Sequence, residues 1–169
     1  MSRMLAASFG LILLGGIHAP EETPEAKVLG QWVGTWKTEF VSKPAEWNPK
    51  EVTSTGRITC QWILGGKFVE ESGSSLGEGT EHRVMWGYDP QRKTYRYWFF
   101  DSHGNITESQ GTWDAMTNTM TSKSEAGPGL TGTSTHRFHN ADSYEWTYVV
   151  KDAGGKVYLD AKGKHTRVK

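Results

Sequence analysis

The sequence predicts an all-β fold: a single up-and-down antiparallel β-barrel of about ten strands, led by a short helical turn. Three observations carry this. Short runs of β-branched and aromatic residues recur along the chain, each bounded by a turn signal. In the clearest pair, 81–88 and 94–101 flank Asp89-Pro90-Gln91-Arg92-Lys93, where Pro presets φ for a turn. The aromatic load is heavy, with 8 Trp, 6 Tyr and 6 Phe, while Leu and Ile are scarce after Gly16, which suits a barrel wall better than a packed helical core. Ten strands in an open sheet would leave two long edges, and closure removes them.

The elements follow in order. Arg3, an apolar run over 4–17 and Ala19 read as a signal peptide over residues 1–19, too short to span a bilayer. Pro20 disfavours cleavage directly before it, so a cut near Ala26 is the other option. The expectation is an exported protein, periplasmic or secreted, with no stable membrane insertion after processing. Residues 20–26 are a polar, Pro-containing lead-in. Residues 27–169 form one barrel domain, opened by a helical turn over 25–31 that Thr23 caps. Candidate strands are 34–41, 51–64, 67–74, 81–88, 94–101, 106–113, 119–125, 132–138, 143–151 and 156–168, joined by turns rich in Gly, Asn and Asp.

Alternation sorts the faces. Ile58, Cys60, Trp62 and Leu64 share one face of their strand, as do Val84, Trp86 and Tyr88, and Tyr144, Trp146, Tyr148 and Val150. Residues 94–100 are aromatic on both faces, so one face cannot be fully wet, and alternation leaves open which of the two looks inward. Strands from Ile106 to His136 carry Thr, Ser and Gly on both faces. Such a wall is either thin and exposed on one side or borders a lumen that holds water and a polar ligand, and the second is the reading preferred here.

Charge excludes some classes of function. The chain has 19 basic and 19 acidic residues and no charge run, so no nucleic-acid or polybasic membrane surface is expected. The single Cys60 cannot form an internal disulfide and reads as a buried, inert thiol. Gly73-Ser74-Ser75-Leu76-Gly77 matches a nucleophile elbow and Gly127-Pro128-Gly129-Leu130-Thr131-Gly132 a dinucleotide fingerprint. Neither is followed by the helix its chemistry needs. Glu70 and Glu71 are strand neighbours that point apart, and His136 and His139 lie three apart and face opposite sides. No catalytic residue and no metal site are therefore expected.

Gly30-Gln31-Trp32-Val33-Gly34-Thr35-Trp36 resembles the first-strand signature of calycin barrels, in which the Trp plugs the closed end. The resemblance implies that Trp32, Trp36 and Arg167 close the barrel, with Arg167 stacked on Trp32 or Trp36. Leu29-Gly30-x-Trp32-x-Gly34-x-Trp36, Leu64-Gly65-Gly66-Lys67-Phe68-Val69, Gly87-Tyr88-Asp89 with Tyr95 and Trp98-x-x-Asp101, Gly111, and Thr166-Arg167-x-Lys169 are similar to the bacterial DUF1579 family. That resemblance covers nearly all of residues 27–169. It implies an exported calycin-like, lipocalin-like barrel with no established activity. A more distant likeness is to nitrobindin-type haem barrels. Their opening is richer in Gly, and Trp36 stands here where they carry a glycine.

The expected function is therefore binding of a small amphipathic or apolar ligand in the lumen. The candidate contacts are Trp62, Trp86, Tyr97, His136, Trp146, Tyr148 and His165. No cofactor is expected. Three alternatives stand beside this reading: a haem or NO binder using His136 or His165, a barrel hydrolase or isomerase, and a structural barrel filled by its own side chains. A monomer is the default.

Overall fold

The structure, a computed structural model, describes residues 22–74 and 80–169. The segment read as a signal peptide, the start of the lead-in and most of the Gly-x-Ser-x-Gly pattern lie outside the described residues. A one-turn-and-more helix, α1 (Pro24–Gly30), opens the described chain. Thr23 caps it: its hydroxyl accepts the Ala26 N–H at 3.1 Å, and Pro24 occupies a first-turn position where a missing N–H costs nothing.

Ten strands follow: β1 (Gly34–Lys43), β2 (Val52–Ile63), β3 (Phe68–Gly73), β4 (His82–Asp89), β5 (Thr94–Asp101), β6 (Ile106–Asp114), β7 (Thr119–Gly127), β8 (Leu130–Asn140), β9 (Ser143–Asp152) and β10 (Val157–Arg167). Each pairs antiparallel with its sequence neighbours, and β1 pairs with β10, from Trp36 opposite Arg167 to Lys43 opposite Asp160. The sheet is thus a closed barrel. Every strand expected from the sequence is present, with ends shifted by up to two residues. The largest departure in β2 is Leu64, which turns out of the strand into a 3-10 turn at φ 50° and is exposed rather than sharing the inner face of Ile58 and Cys60.

The turns owe their shape to local side-chain bonds. Asp89 Oδ1 accepts the N–H groups of Gln91 and Arg92, and its Oδ2 accepts from Arg92 Nη1 at 2.8 Å. These bonds, the Arg92 side chain first, hold the Asp89 carboxyl below the usual carboxylate range. The aromatic content on both faces of β5 has a plain explanation. Tyr95, Tyr97 and Phe99 face the interior with the core. Trp98 lies on the other side beneath Arg96, 5.5 Å from guanidinium to ring, and beside Phe68, while Arg96 pairs with Glu108 and Asp89. The outer rings are covered by a cation and by each other.

One end of the barrel is plugged. Trp32 and Trp36 are fully buried there with Leu29 of α1. Trp32 stacks on Trp86 at 4.7 Å and meets Phe138 edge-on at 4.7 Å, and Trp36 Nε1 donates to the Trp32 carbonyl at 2.7 Å. Arg167 locks this plug. Its guanidinium lies 4.0 Å over the Trp36 ring. Its Nη1 donates to Val33 O at 2.6 Å, Nη2 to Gln31 O at 3.2 Å and Nε to Ala141 O at 2.7 Å. Of the two stacking partners the sequence left open, the structure selects Trp36.

Arg167→Ala removes three charge-assisted bonds and leaves carbonyls of the plug unpaired, so we expect a loss of about 3 kcal/mol in urea unfolding at an unchanged m-value. Arg167→Lys keeps the charge and loses the fork, and is expected to recover less than half of that loss. A loss under about 0.5 kcal/mol for Arg167→Ala would show that β1–β10 pairing holds without it.

Candidate functional site

Strand geometry divides the interior by height. Large inward rings gather at the α1 end. Above them the inner face of β6, β7 and β8 carries Ser109, Ser122, Ser124 and Ser134, all buried. Small side chains on that wall leave the opposite rings facing open space. The result is a cavity of about 430 Å³ inside the barrel. It reaches the end away from α1. Trp47 of the β1–β2 connection, Asn105 of the β5–β6 turn, Ala126 near the end of β7 and Leu159 near the start of β10 form its rim. Trp47 is half exposed there, held by a bond from its N–H to Tyr158 O at 2.9 Å.

Six of the seven expected lumen residues line this cavity: Trp86, Tyr97, His136, Trp146, Tyr148 and His165. Trp62 does not. It packs at the plugged end, where a Cβ on Gly30 of α1 would come within 3.7 Å of its ring. Alternation gives its face correctly but says nothing of its height along the barrel axis. Two strand glycines make room for the rings. Gly163 of β10 lies beneath Trp146, and Gly132 of β8 lies beneath Tyr148, whose hydroxyl is 3.2 Å from Ser124 Oγ. A Cβ at either glycine would overlap the ring above it.

The sequence reading missed the polar centre of the cavity. Glu71 and His82, taken individually, gave no sign of convergence. Yet Glu71 Oε1 meets His82 Nε2 at 3.0 Å, and Oε2 accepts from Cys60 Sγ at 3.8 Å. His82 stands opposite Gly73, two residues from Glu71 along β3, so the pair is a diagonal contact across β3–β4. That register depends on a hairpin connection whose length alone does not specify it. A carboxylate only accepts, so Nε2 carries the hydrogen, and His82 Nδ1 has no protein partner. Glu70, by contrast, faces away toward Gln61.

Burial sets the protonation of the other groups. It pushes His136 down to about 3, and His165 down to about 4 against the opposing influence of Glu71. Both are neutral at pH 7. Burial raises the phenols of Tyr97 and Tyr144, and burial followed by the Glu71 charge raises the Cys60 thiol. Cys60 therefore stays a thiol, in line with an inert role. His136 is walled by rings, edge-on to Trp86 at 4.9 Å, with Ser134 Oγ 3.4 Å from its Nδ1. His165 lies flat on Tyr144, with centroids 4.4 Å apart and planes parallel. His139 faces outward and pairs with Glu145 at 3.0 Å, so it shares no site with His136. No group of three or more His, Cys, Asp or Glu among the described residues is arranged to hold a metal ion.

The model of the family described as a protein of unknown function, DUF1579, matches residues 21–165. No curated protein matches the sequence. Among solved structures, the chain is similar to the S-type phycobiliprotein lyase CPES from Guillardia theta, at 13% identity over 88% of this chain and 94% of that one, with a TM-score of 0.62. It is similar also to Rv2717c from M. tuberculosis, at 9% identity over 88% of this chain and 100% of that one, with a TM-score of 0.66. At such identities the likeness is one of fold.

Two predictions follow from the buried polar groups and the glycines. Unfolding frees His136 and His165 to take protons near their ordinary value of 6.5. The unfolded state then binds more protons than the folded one, so stability is full above pH 6.5 and falls as pH drops toward 4. The slope is roughly 1.4 kcal/mol per pH unit for each histidine. Urea melts from pH 7.5 to 4.5 read this, and His136→Phe should flatten the slope by one histidine's share. An unchanged slope in that variant contradicts the burial assignment. Separately, Gly163→Ala should cost about 1–3 kcal/mol and shift the Trp emission, because Trp146 or β10 has to move.

Proposed function

The chain belongs to DUF1579, a family of unknown function, and we propose that it binds a small amphipathic or apolar molecule inside the barrel. The observation that carries this reading is the cavity itself. At about 430 Å³, it falls within the range of small-molecule sites, it lies in a barrel closed at one end, and aromatic rings and imidazoles form a large part of its lining. A structural barrel would fill the same space with side chains. Ser109 of β6 and Ser134 of β8 leave it open instead.

Binding of this kind needs no chemistry beyond burial and a few hydrogen bonds. Trp86, Trp146 and Tyr97 supply flat surface, while Ser109, Ser134, His136 and His165 supply polar contacts at fixed positions. The proposal extends to the cell: the protein is exported, residues 1–19 are removed as a signal peptide, and the mature chain works as a monomer. Haem fits the residues poorly. His136 and His165 are the imidazoles it would use, but no Lys or Arg among the described residues lines the cavity to pair its propionates.

The test uses 2-(2-naphthyl)ethanol, a neutral amphipathic probe. It should bind at one site with a Kd on the order of 10–100 μM and quench Trp emission. Ser109→Trp, which fills the cavity from the serine wall, should abolish binding with an unchanged far-UV spectrum. Binding that survives Ser109→Trp would move the site out of the lumen. Hemin is expected to give no Soret band. N-terminal sequencing of protein recovered from a bacterial host should begin after Ala19 or near Ala26, and recovery of an intact Met1 from the exported fraction would count against the signal peptide.

A further inference from the structure

Given that the lumen takes a small molecule, its charge lining narrows which one. No Lys or Arg lines the cavity among the described residues, whereas two carboxylates, Glu71 and Asp101, do. Asp101 is already committed. It sits at the rim, and its oxygens accept from His103 N at 2.9 Å, Asn105 N at 3.0 Å and Asn105 Nδ2 at 2.8 Å. Glu71 is the inner one. It lies within the β3 wall, its side chain 12% exposed, and each of its oxygens takes one donor of low charge, the His82 imidazole and the Cys60 thiol. A carboxylate accepts about four hydrogen bonds, so Glu71 keeps acceptor capacity toward the cavity.

No ammonium or guanidinium among the described cavity-lining residues faces this charge. His136 and His165 are neutral, as given above. His82 donates Nε2–H to Glu71 Oε1 at 3.0 Å, and its Nδ1 has no protein partner. Rings share the cavity wall with the carboxylate. Its charge is felt at the hydroxyls of Tyr97 and Tyr144, and Phe99 stacks on His82 at 6.1 Å between centroids. Ring faces attract cations and repel anions, and burial strengthens both effects. An anionic ligand would lose its water shell here, face Glu71, and find no cation to repay the cost. A cation on an apolar body would find a carboxylate and ring faces together.

We infer that the ligand is a cationic amphiphile, a small molecule with one protonated or quaternary amine on an aromatic or aliphatic body, whose head lies at Glu71 and whose body lies against Trp86, Tyr97 and Trp146. The structure thereby selects against fatty acids, acidic pigments and phosphorylated compounds. It also gives the Glu71–His82 pair a role that a barrel serving only an apolar ligand would not need.

Three probes with one body separate this from the broader reading: 2-(2-naphthyl)ethylamine, the alcohol 2-(2-naphthyl)ethanol, and 2-naphthylacetate, titrated at pH 7.5 in 0.1 M salt. The amine should bind at least fivefold tighter than the alcohol, and the acetate weaker than both. Glu71→Gln should bring amine and alcohol within twofold of each other, while Asp101→Asn leaves the ranking as it is. The wild-type ranking needs no variant, so it decides even where Glu71→Gln fails to fold. An alcohol that matches the amine, or an acetate that binds tightest, overturns the charge inference and leaves lumen binding standing. Levelling by Asp101→Asn in place of Glu71→Gln overturns the assignment to Glu71. If none of the three binds, lumen binding itself fails and this inference with it.

Discussion

The pairing of β1 with β10 is the constraint on which everything else rests. A ten-stranded meander is cooperative only in pieces until its first and last strands meet, because each open edge exposes a row of unpaired N–H and C=O groups. Here eight consecutive residues of β1 face β10 in register, and Arg167, the last residue of β10, reaches beyond the ladder. Its guanidinium bonds to carbonyls just before β1 and in the β8–β9 turn while covering Trp36. A single side chain therefore ties the start of the barrel, its end and its plug together. It also explains why α1, too short to be stable alone, holds its place: Leu29 and Trp32 are buried on rings that the closure has already positioned.

Closure makes an interior, but residue size decides whether the interior is solid. Along the axis the two outcomes occur in one molecule. Near α1, Trp32, Trp36, Met120 and Phe138 interlock and leave no room. Toward the other end, Ser109 and Ser134 line the cavity beside their ladder partners Tyr97 and Tyr148, and Trp86 and Trp146 complete the ring surface. Gly132 and Gly163 let two of those rings lie against the backbone of the neighbouring strand rather than project across the lumen. The same glycines that weaken a strand intrinsically here widen the space between walls.

This division marks how far the sequence could be read. Strand existence, strand order and closure were legible, since Asp89-Pro90, Gly-rich turns and period-two alternation are local signals. The plug was legible through the resemblance of the first strand to calycin barrels, which implies closure by Trp32, Trp36 and Arg167. Which inward residues lie high or low was not legible, and Trp62 is the case in point: its face was right and its depth was wrong. Glu71 and His82 escaped for a related reason. Their meeting depends on the register across β3–β4, and register is a non-local property of closure rather than of either strand. The two-sided aromatic content of β5 was visible but not assignable, because Phe68, Arg96 and Glu108 had to be brought over Trp98 before its outward face made sense.

The polar groups of the lumen carry a cost that bears on what the lumen is for. Two neutral imidazoles with strongly lowered proton affinity, a carboxylate in the wall and several buried hydroxyls all reduce stability relative to aliphatic filling. Trp32 Nε1, Trp86 Nε1, Ser122 Oγ and His165 Nδ1 are buried without a protein partner, which adds to it. A barrel whose only task was to persist would gain by exchanging these polar residues for apolar ones of similar size. Part of this cost falls on the cavity wall, at Trp86, His136, His165 and Glu71, next to the rings that would contact a guest. Polar groups held at a stability cost around an opening of ligand size are the arrangement expected when an interior has to recognise something besides itself.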